Sequence, residues 1–370
     1  MLTFEAYLVE RKNIDANRGD IAEVILGAAV VARFKNMPYN KDVEESDIYL
    51  ILRQIMKQNP TRYKRDDFQL KGRVSDTIRF QVGVPKKAYE FMKVEANWND
   101  VKELFLSSKT YVNNDRRLKL QAKVLATNGK ANDIFINSDG TGNQKGTKAD
   151  IKLEIDGKPT HNQISLKVKG GDQFAQVSGI EFEKQITLWS KLGIDVKSGK
   201  KMYDSNMEKF DAEARFPDRP SALELGNVLR DSMDNIYKLA YRELKRKVES
   251  KDRKTIQAIG DFIKHGATLD DQTIELVKLE GGVFKRAKFG KRFYENLSKI
   301  DLAVEYKRTT DPIIKIYDKS IGSGNKGLLI QIRGKYAAES KKLKSGKLYK
   351  PYFRNIVEAG DLLFKIGTDF

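Results

Sequence analysis

Apolar residues recur at helical spacing near the start of the chain. Ile21, Val24, Ile25, Ala28, Ala29 and Ala32 form one broad stripe and predict a helix over residues 19–34. Its small side chains suit close packing on a sheet. One acid, Glu23, interrupts its apolar first half and reads either as a solvated helix residue or as a functional group. Residues 46–57 predict a second helix. Alternation through Val74, Ile78, Phe80 and Val82 predicts a strand, and residues 99–126 predict a long helix capped by Asn97 or Asn99. Asp133–Asn137 reads as a short strand. Two further strands, Ala149–Glu154 and Ile164–Val168, flank the turn-rich run Asp156-Gly157-Lys158-Pro159 and predict a hairpin. Side chains alternate along a strand, so Ser165 and Lys167 share one face while Leu166 and Val168 share the other.

Farther on, residues 172–192 predict a helix whose Phe182, Ile186, Leu188 and Trp189 belong to a core. A polar, basic stretch at Lys197–Ser205 marks a domain boundary. A long helix then runs from a Ser221 cap to Val248, and another from Asp252 to His265. From residue 283 the pattern turns to strands, at Ala303–Tyr306, Ile313–Tyr317 and Leu328–Arg333. The expected fold is mixed α/β (α+β). Residues 1–200 form a core with an insertion at about 36–130, residues 201–282 a helical segment, and residues 283–370 a β-rich, basic C-terminal domain. A chain of 370 residues can bury cores of this size.

Charge narrows the functions. Lys and Arg number 69 against 51 Asp and Glu, a net +18. Such an excess favours a polyanionic partner through counterion release, although a basic surface also serves solubility. No long basic amphipathic helix points to a membrane surface. The lack of cysteine excludes disulfides, thiolate nucleophiles and Cys-ligated zinc, and suits a cytoplasmic protein. Met1–Glu5 lacks a signal-peptide pattern, and no stretch approaches the ~20 apolar residues of a membrane span. With only His161 and His265, histidine-based cleavage and multi-histidine metal sites are disfavoured. His161 reads as a solvated residue of the hairpin loop.

If the two strands pair, Asp150 sits beside Lys167 at the end of a sheet. A carboxylate and an amine held together, after the glycine-bearing loop Gly140–Thr147, suit Mg²⁺ and phosphate. That loop is not a Walker motif, because the Gly-Lys-Ser/Thr ending before a helix is absent. In a chain this basic the phosphate belongs to nucleic acid.

Asp150 followed by Ser165-x-Lys167 resembles the signature of the PD-(D/E)xK nuclease superfamily, an Asp on one strand and an acid-x-Lys on the next. The resemblance covers roughly residues 15–195. It implies a restriction-endonuclease-like mixed sheet flanked by helices. It further implies a metal-directed Glu on the first helix, here Glu23, and a Gln near the site on a helix after the Lys strand, here Gln173 or Gln176. Ser165 departs from the pattern, standing where the family has a second acid, so one negative charge is missing unless Glu23 supplies it. Glu154 is the poorer substitute, since four residues of strand carry it about 13 Å from Asp150. In this reading Mg²⁺ (or Mn²⁺) is held by Asp150, Glu23 and Ser165, the last with its neighbouring backbone carbonyl. Lys167 stabilises charge or orients water, and Gln173 or Gln176 positions the substrate.

Other cations form candidate nucleic-acid surfaces. Lys145 and Lys148, in the loop Ser138–Lys148 that enters the Asp150 strand, are candidates to contact a scissile strand. Arg116 and Arg117, with Lys119 and Lys123, make either a solvated helix face or a phosphate-contacting one. Lys341, Lys342, Lys344, Lys347 and Arg354 interleave with Tyr336, Tyr349, Tyr352 and Phe353. They suit backbone contact with stacking, or else protect a sheet edge. The expected function is Mg²⁺-dependent endonucleolytic cleavage of double-stranded DNA. A site-specific restriction or homing type accommodates the large flanking regions, and a homodimer is compatible. The alternative is a non-catalytic DNA- or RNA-binding or nucleoprotein assembly protein that keeps a nuclease-like fold.

Overall fold

The computed structural model describes residues 16–36, 39, 41–62, 67–127, 133–138, 149–167, 173–178, 181–211, 214–265, 275–343 and 346–367. The chain opens with α1 (Arg18–Asn36), α2 (Glu45–Met56), β1 (Thr61–Arg62), β2 (Asp67–Ser75), β3 (Ile78–Pro85) and α3 (Lys86–Met92). It continues through α4 (Lys102–Asn114), α5 (Arg116–Thr127), β4 (Ile134–Ser138), β5 (Ile151–Ile155), β6 (Lys158–Lys167) and β7 (Gln173–Ser178). Next come α6 (Phe182–Ser190), α7 (Lys200–Met207), α8 (Arg219–Glu249), α9 (Arg253–Lys264), β8 (Glu275–Glu280) and β9 (Val283–Ala287). The last elements are α10 (Lys291–Lys299), β10 (Leu302–Arg308), β11 (Pro312–Asp318), β12 (Leu328–Leu343), β13 (Gly346–Ala359) and α11 (Asp361–Gly367). The fold class is mixed α/β, as expected. Among the described residues no helix is long and apolar enough to cross a membrane.

These elements form two compact units, Met1–Gly170 with Ile274–Lys285, and Gly171–Thr273 with Arg286–Phe370. The boundary expected near residue 200 thus falls at 170. The expected helical segment 201–282 is not separate either. Its helices join the second unit, and its last residues return to the first unit's sheet as β8.

In the first unit the sheet runs β1-β2-β3-β4-β5-β6-β8-β9. β3 with β4, and β6 with β8, are parallel; β4, β5 and β6 form an antiparallel meander. Alternation decides which face is buried: Phe80, Val82, Ile134, Ile136, Ile151 and Leu153 enter one core with α1. That helix is buried nearly all round, because α2 and α4 pack on it too. Gly27 lets α1 approach β4, since a Cβ there would lie 3.1 Å from the Ser138 Cβ. The Ser138 hydroxyl donates to the Glu23 carbonyl at 3.1 Å, fixing the helix turn that carries Glu23. Residues 36–130 are therefore not an insertion beside the core. They supply three strands of its sheet and most of its helices. The single helix expected over 99–126 is broken at Asp115, whose buried carboxylate accepts the Leu118 N–H at 2.9 Å and starts α5.

The second unit holds an antiparallel sheet, β10-β11-β12-β13-β7. α8 covers one face, with Leu229, Met233, Ile236, Tyr237 and Ala240 buried. Its cap is Asp218 rather than Ser221. The Asp218 carboxylate accepts the Ser221 N–H at 2.8 Å and the Ser221 hydroxyl at 2.9 Å, and Pro220 fits the first turn. The helix expected over 172–192 splits as well. Residues 173–178 pair with β13, Val177 opposite Asn355, and only 182–190 are α-helical. A free strand edge on β13 captures the segment, and this long-range pairing overrides local spacing.

Candidate acid–lysine site

The hairpin β5–β6 turns at Asp156-Gly157, both with positive φ (51° and 74°), a conformation that suits Gly and is tolerated by Asp. The reversal is tighter than the expected loop, so His161 falls within β6. Just before β5, the Asp150 N–H donates to the Ile164 carbonyl at 2.7 Å. The Asp150 carboxylate then folds onto the partner strand. Its Oδ2 accepts the Leu166 N–H at 2.6 Å and the Ser165 hydroxyl at 3.3 Å. The Lys167 ammonium lies 3.6 Å from the same oxygen, both side chains being mostly buried. Asp150, Ser165 and Lys167 are thus brought together, with Ser165 fully buried beside the carboxylate.

Glu23 reaches the same place from α1. Its carboxyl is held well above the ordinary glutamate range, first by burial, then by the negative charges of Asp150 and Asp20, with Lys167 pulling the other way. Glu154 lies at the far end of the hairpin. It pairs with Pro159 and its charge acts on Arg79, which also forms an ion pair with Asp133. Strand geometry thus separates Glu154 from Asp150, while α1 places Glu23 where the charges of Asp150 and Lys167 act on it.

No family model, no curated protein and no solved structure matches this chain. Its chemistry rests on its own residues.

Two acids that the sequence pattern did not single out join the neighbourhood. Asp20 precedes Glu23 by three residues and so shares its helix face; that spacing was a usable signal. Burial and the charge of Asp67, at the start of β2, push the Asp20 carboxyl up to about 6. Nothing local in sequence marks Asp67. The donors are hard carboxylate oxygens carrying excess negative charge, with Lys167 opposing the raised Glu23, and so fit a divalent cation such as Mg²⁺ in chemistry and charge. Among the described residues, no three acids or histidines are gathered tightly enough to make a finished ligand cage.

Other expected site residues lie elsewhere. Gln173 and Gln176 stand on β7, in the second unit's sheet, opposite Glu358 and Ile356 of β13. They are not on a helix following the lysine strand, because β13 has taken the segment as a strand. Lys145, Lys148 and Lys344 lie outside the described residues. Arg116 and Arg117 are exposed on the first turn of α5. Lys341 and Lys342 are on β12, and Lys342 is directly opposite Lys347 in register. Beyond Gly334, among the described residues, β12 pairs with β13 alone and the two strands form an extended arm, with Phe216 bridging the outer side of β13 at Tyr349. On β13 the Lys347 amine sits 5.3 Å from the Tyr349 ring centre, and the Arg354 guanidinium 4.3 Å from that of Tyr352.

Proposed function

We propose that the first unit is a metal-dependent phosphodiesterase acting on DNA, centred on Asp150, Glu23 and Lys167. The observation that carries this reading is the convergence of two carboxylates and a lysine from separate elements, a helix and a hairpin, onto one mostly buried spot. Neither fold stability nor solubility needs Glu23 to be placed against Asp150; like charges there cost energy. The order of helix, antiparallel hairpin and acid–lysine pair supports kinship with the PD-(D/E)xK nucleases despite Ser165.

Asp150 and Glu23 would hold the cation. When bound, it polarises the phosphodiester and lowers the pKa of bound water. Asp150 is oriented by Leu166 N–H and the Ser165 hydroxyl, which makes Ser165 a positioning residue for the ligand carboxylate. The Lys167 ammonium can then stabilise negative charge developing on the phosphate. In the second unit, the register of β12 and β13 sets Lys342 opposite Lys347, which adds to the cationic character of this strand pair. With the stacked Arg354 and Tyr352, it supports DNA-backbone contact by that arm.

A second reading, a non-catalytic nucleic-acid binder, is favoured by the missing acid at Ser165 and by the engagement of Asp150 Oδ2 within the hairpin. Supercoiled plasmid separates the two. The phosphodiesterase nicks it with Mg²⁺ or Mn²⁺ but not with EDTA, and Lys167→Ala abolishes nicking. Binding without any divalent-dependent nicking would favour the second reading. Nicking undiminished by Lys167→Ala would remove this site from the reaction.

A further inference from the structure

A cavity of about 610 Å³ lies within the second unit, between the end of α8, the start of α9, α10 and the entry to β10. The volume suits a small molecule. Val248, Leu297 and Leu302 make a buried apolar floor, and the Tyr294 ring forms part of the lining. The ring is anchored, because the Tyr294 hydroxyl donates to Asp261 at 2.6 Å and the ring lies against Gly260, where there is no room for a Cβ. Three exposed cations, Lys251, Arg253 and Lys299, stand at the rim. Asp301, also at the rim, lies 3.8 Å from the Lys251 amine across an exposed ion pair.

The backbone beneath Lys251 adds an independent sign. α8 ends with the Asp252 N–H donating to Lys247 O at 3.0 Å and the Lys251 N–H to Val248 O at 2.9 Å. This capping turn favours glycine at the residue in the left-handed region. Lys251 occupies that position, with φ 54°. Lysine adopts this conformation less readily than glycine, so the lip of the cavity holds its cation against the local backbone preference.

We infer that this cavity binds a nucleoside phosphate, its base on the apolar floor beside Tyr294 and its phosphate among Lys251, Arg253 and Lys299. Three cations call for an anion, and an apolar floor with an aromatic wall calls for a flat apolar body attached to it. Inorganic phosphate would leave the floor unused. Gln257 and Ser298 also line the cavity; their donors are engaged by Asp261 and by the Glu295 carbonyl, so each offers a base edge an acceptor oxygen. The ligand phosphate displaces Asp301 as the partner of Lys251. The same chemistry is offered by a free nucleotide and by the terminal nucleotide of a DNA strand. This site holds whether or not the acid–lysine site cleaves DNA.

Calorimetric titration of the full chain at low salt tests it, with AMP, CMP, GMP and UMP, adenosine, inorganic phosphate and a 5′-phosphorylated oligothymidylate. At least one mononucleotide should bind about tenfold more tightly than adenosine or phosphate alone. Lys251→Gly relieves the strained turn, so its Tm should be unchanged or raised, while nucleotide affinity falls at least fivefold. Lys299→Ala, at an exposed position, should weaken binding similarly without lowering Tm. Competition by the oligonucleotide identifies a strand end as the source, and binding of mononucleotides alone identifies a free nucleotide; either supports the site. Absence of mononucleotide binding at millimolar concentration, phosphate binding as tightly as the nucleotides, or affinity unchanged in both variants overturns it.

Discussion

Replacing Asp150 separates the fold's need for this residue from the chemistry's. Its Oδ2 accepts the N–H of buried Leu166 at 2.6 Å and faces the mostly buried Lys167 at 3.6 Å. Asp150→Ala leaves that N–H without an acceptor, a loss of about 1–3 kcal/mol. It also strips a partly buried ion pair, worth about 1 kcal/mol between exposed and buried limits. The expected destabilisation is about 3 kcal/mol, or about 6–12 °C in Tm for a unit of this size. Asp150→Asn keeps an amide oxygen for the Leu166 N–H and should cost at most about 1 kcal/mol, the lost ion pair being offset in part by relief of the repulsion with Glu23. Urea unfolding of both variants, without metal, measures the difference. If Ala and Asn are equally mild, below about 0.5 kcal/mol, the carboxylate is not tied to β6 and the geometry given for the site is wrong. If the expected gap appears, Asp150→Asn becomes the informative variant, because loss of activity in a nearly stable protein belongs to the chemistry.

Glu23→Gln should reduce Mg²⁺-dependent nicking far more than Glu154→Gln, and the opposite ranking in a plasmid assay would overturn the assignment of Glu23. Asp20 has a raised folded-state pKa of about 6, so its contribution to stability is present below about pH 4 and is lost as pH rises through 6. The shift corresponds to up to about 3 kcal/mol, cut to about 1.5 kcal/mol by solvent screening at this partly exposed position. Metal-free Asp20→Asn should therefore match the parent at pH 3.5 and exceed it at pH 8 in urea unfolding; equal stability at both pH values would contradict this. Replacing Lys341, Lys342, Lys344 and Lys347 by Ala should weaken duplex binding and flatten the salt dependence by about 0.9 for each phosphate that is no longer neutralised. An unchanged slope would leave those lysines as edge protection and move the search for the DNA surface to Arg116–Lys123 or to the basic run Arg242-Glu243-Leu244-Lys245-Arg246-Lys247 near the end of α8.

The parts of the fold that are legible in the sequence are those held by local periodicity. The apolar stripe of α1, the hairpin carrying Asp150 and Lys167, and the alternating runs of β10 to β12 all form close to where their patterns lie. Glu23 can be paired with Asp150 because strand rise separates Glu154 from it. What stays hidden depends on neighbours distant in sequence. Gln173 and Gln176 sit on a strand because β13, at Glu358 and Ile356 far along the chain, offers an open edge. β8 lies beside β6 although more than 100 residues separate them in the chain. Asp67 reaches the acid cluster only through the folding of β2 into the sheet. The cap of α8 lies three residues before the expected one, because Ser221 looks like a cap but serves as the donor to Asp218.

Direct binding of a divalent cation is the most telling measurement. Mn²⁺ titrated into the full chain and followed by electron paramagnetic resonance should show binding that is lost in Asp150→Asn and strongly weakened in Glu23→Gln. It should persist in Glu154→Gln. Mn²⁺ binding that is absent from the parent protein, or equal in all four proteins, would contradict a metal centre at Asp150 and Glu23.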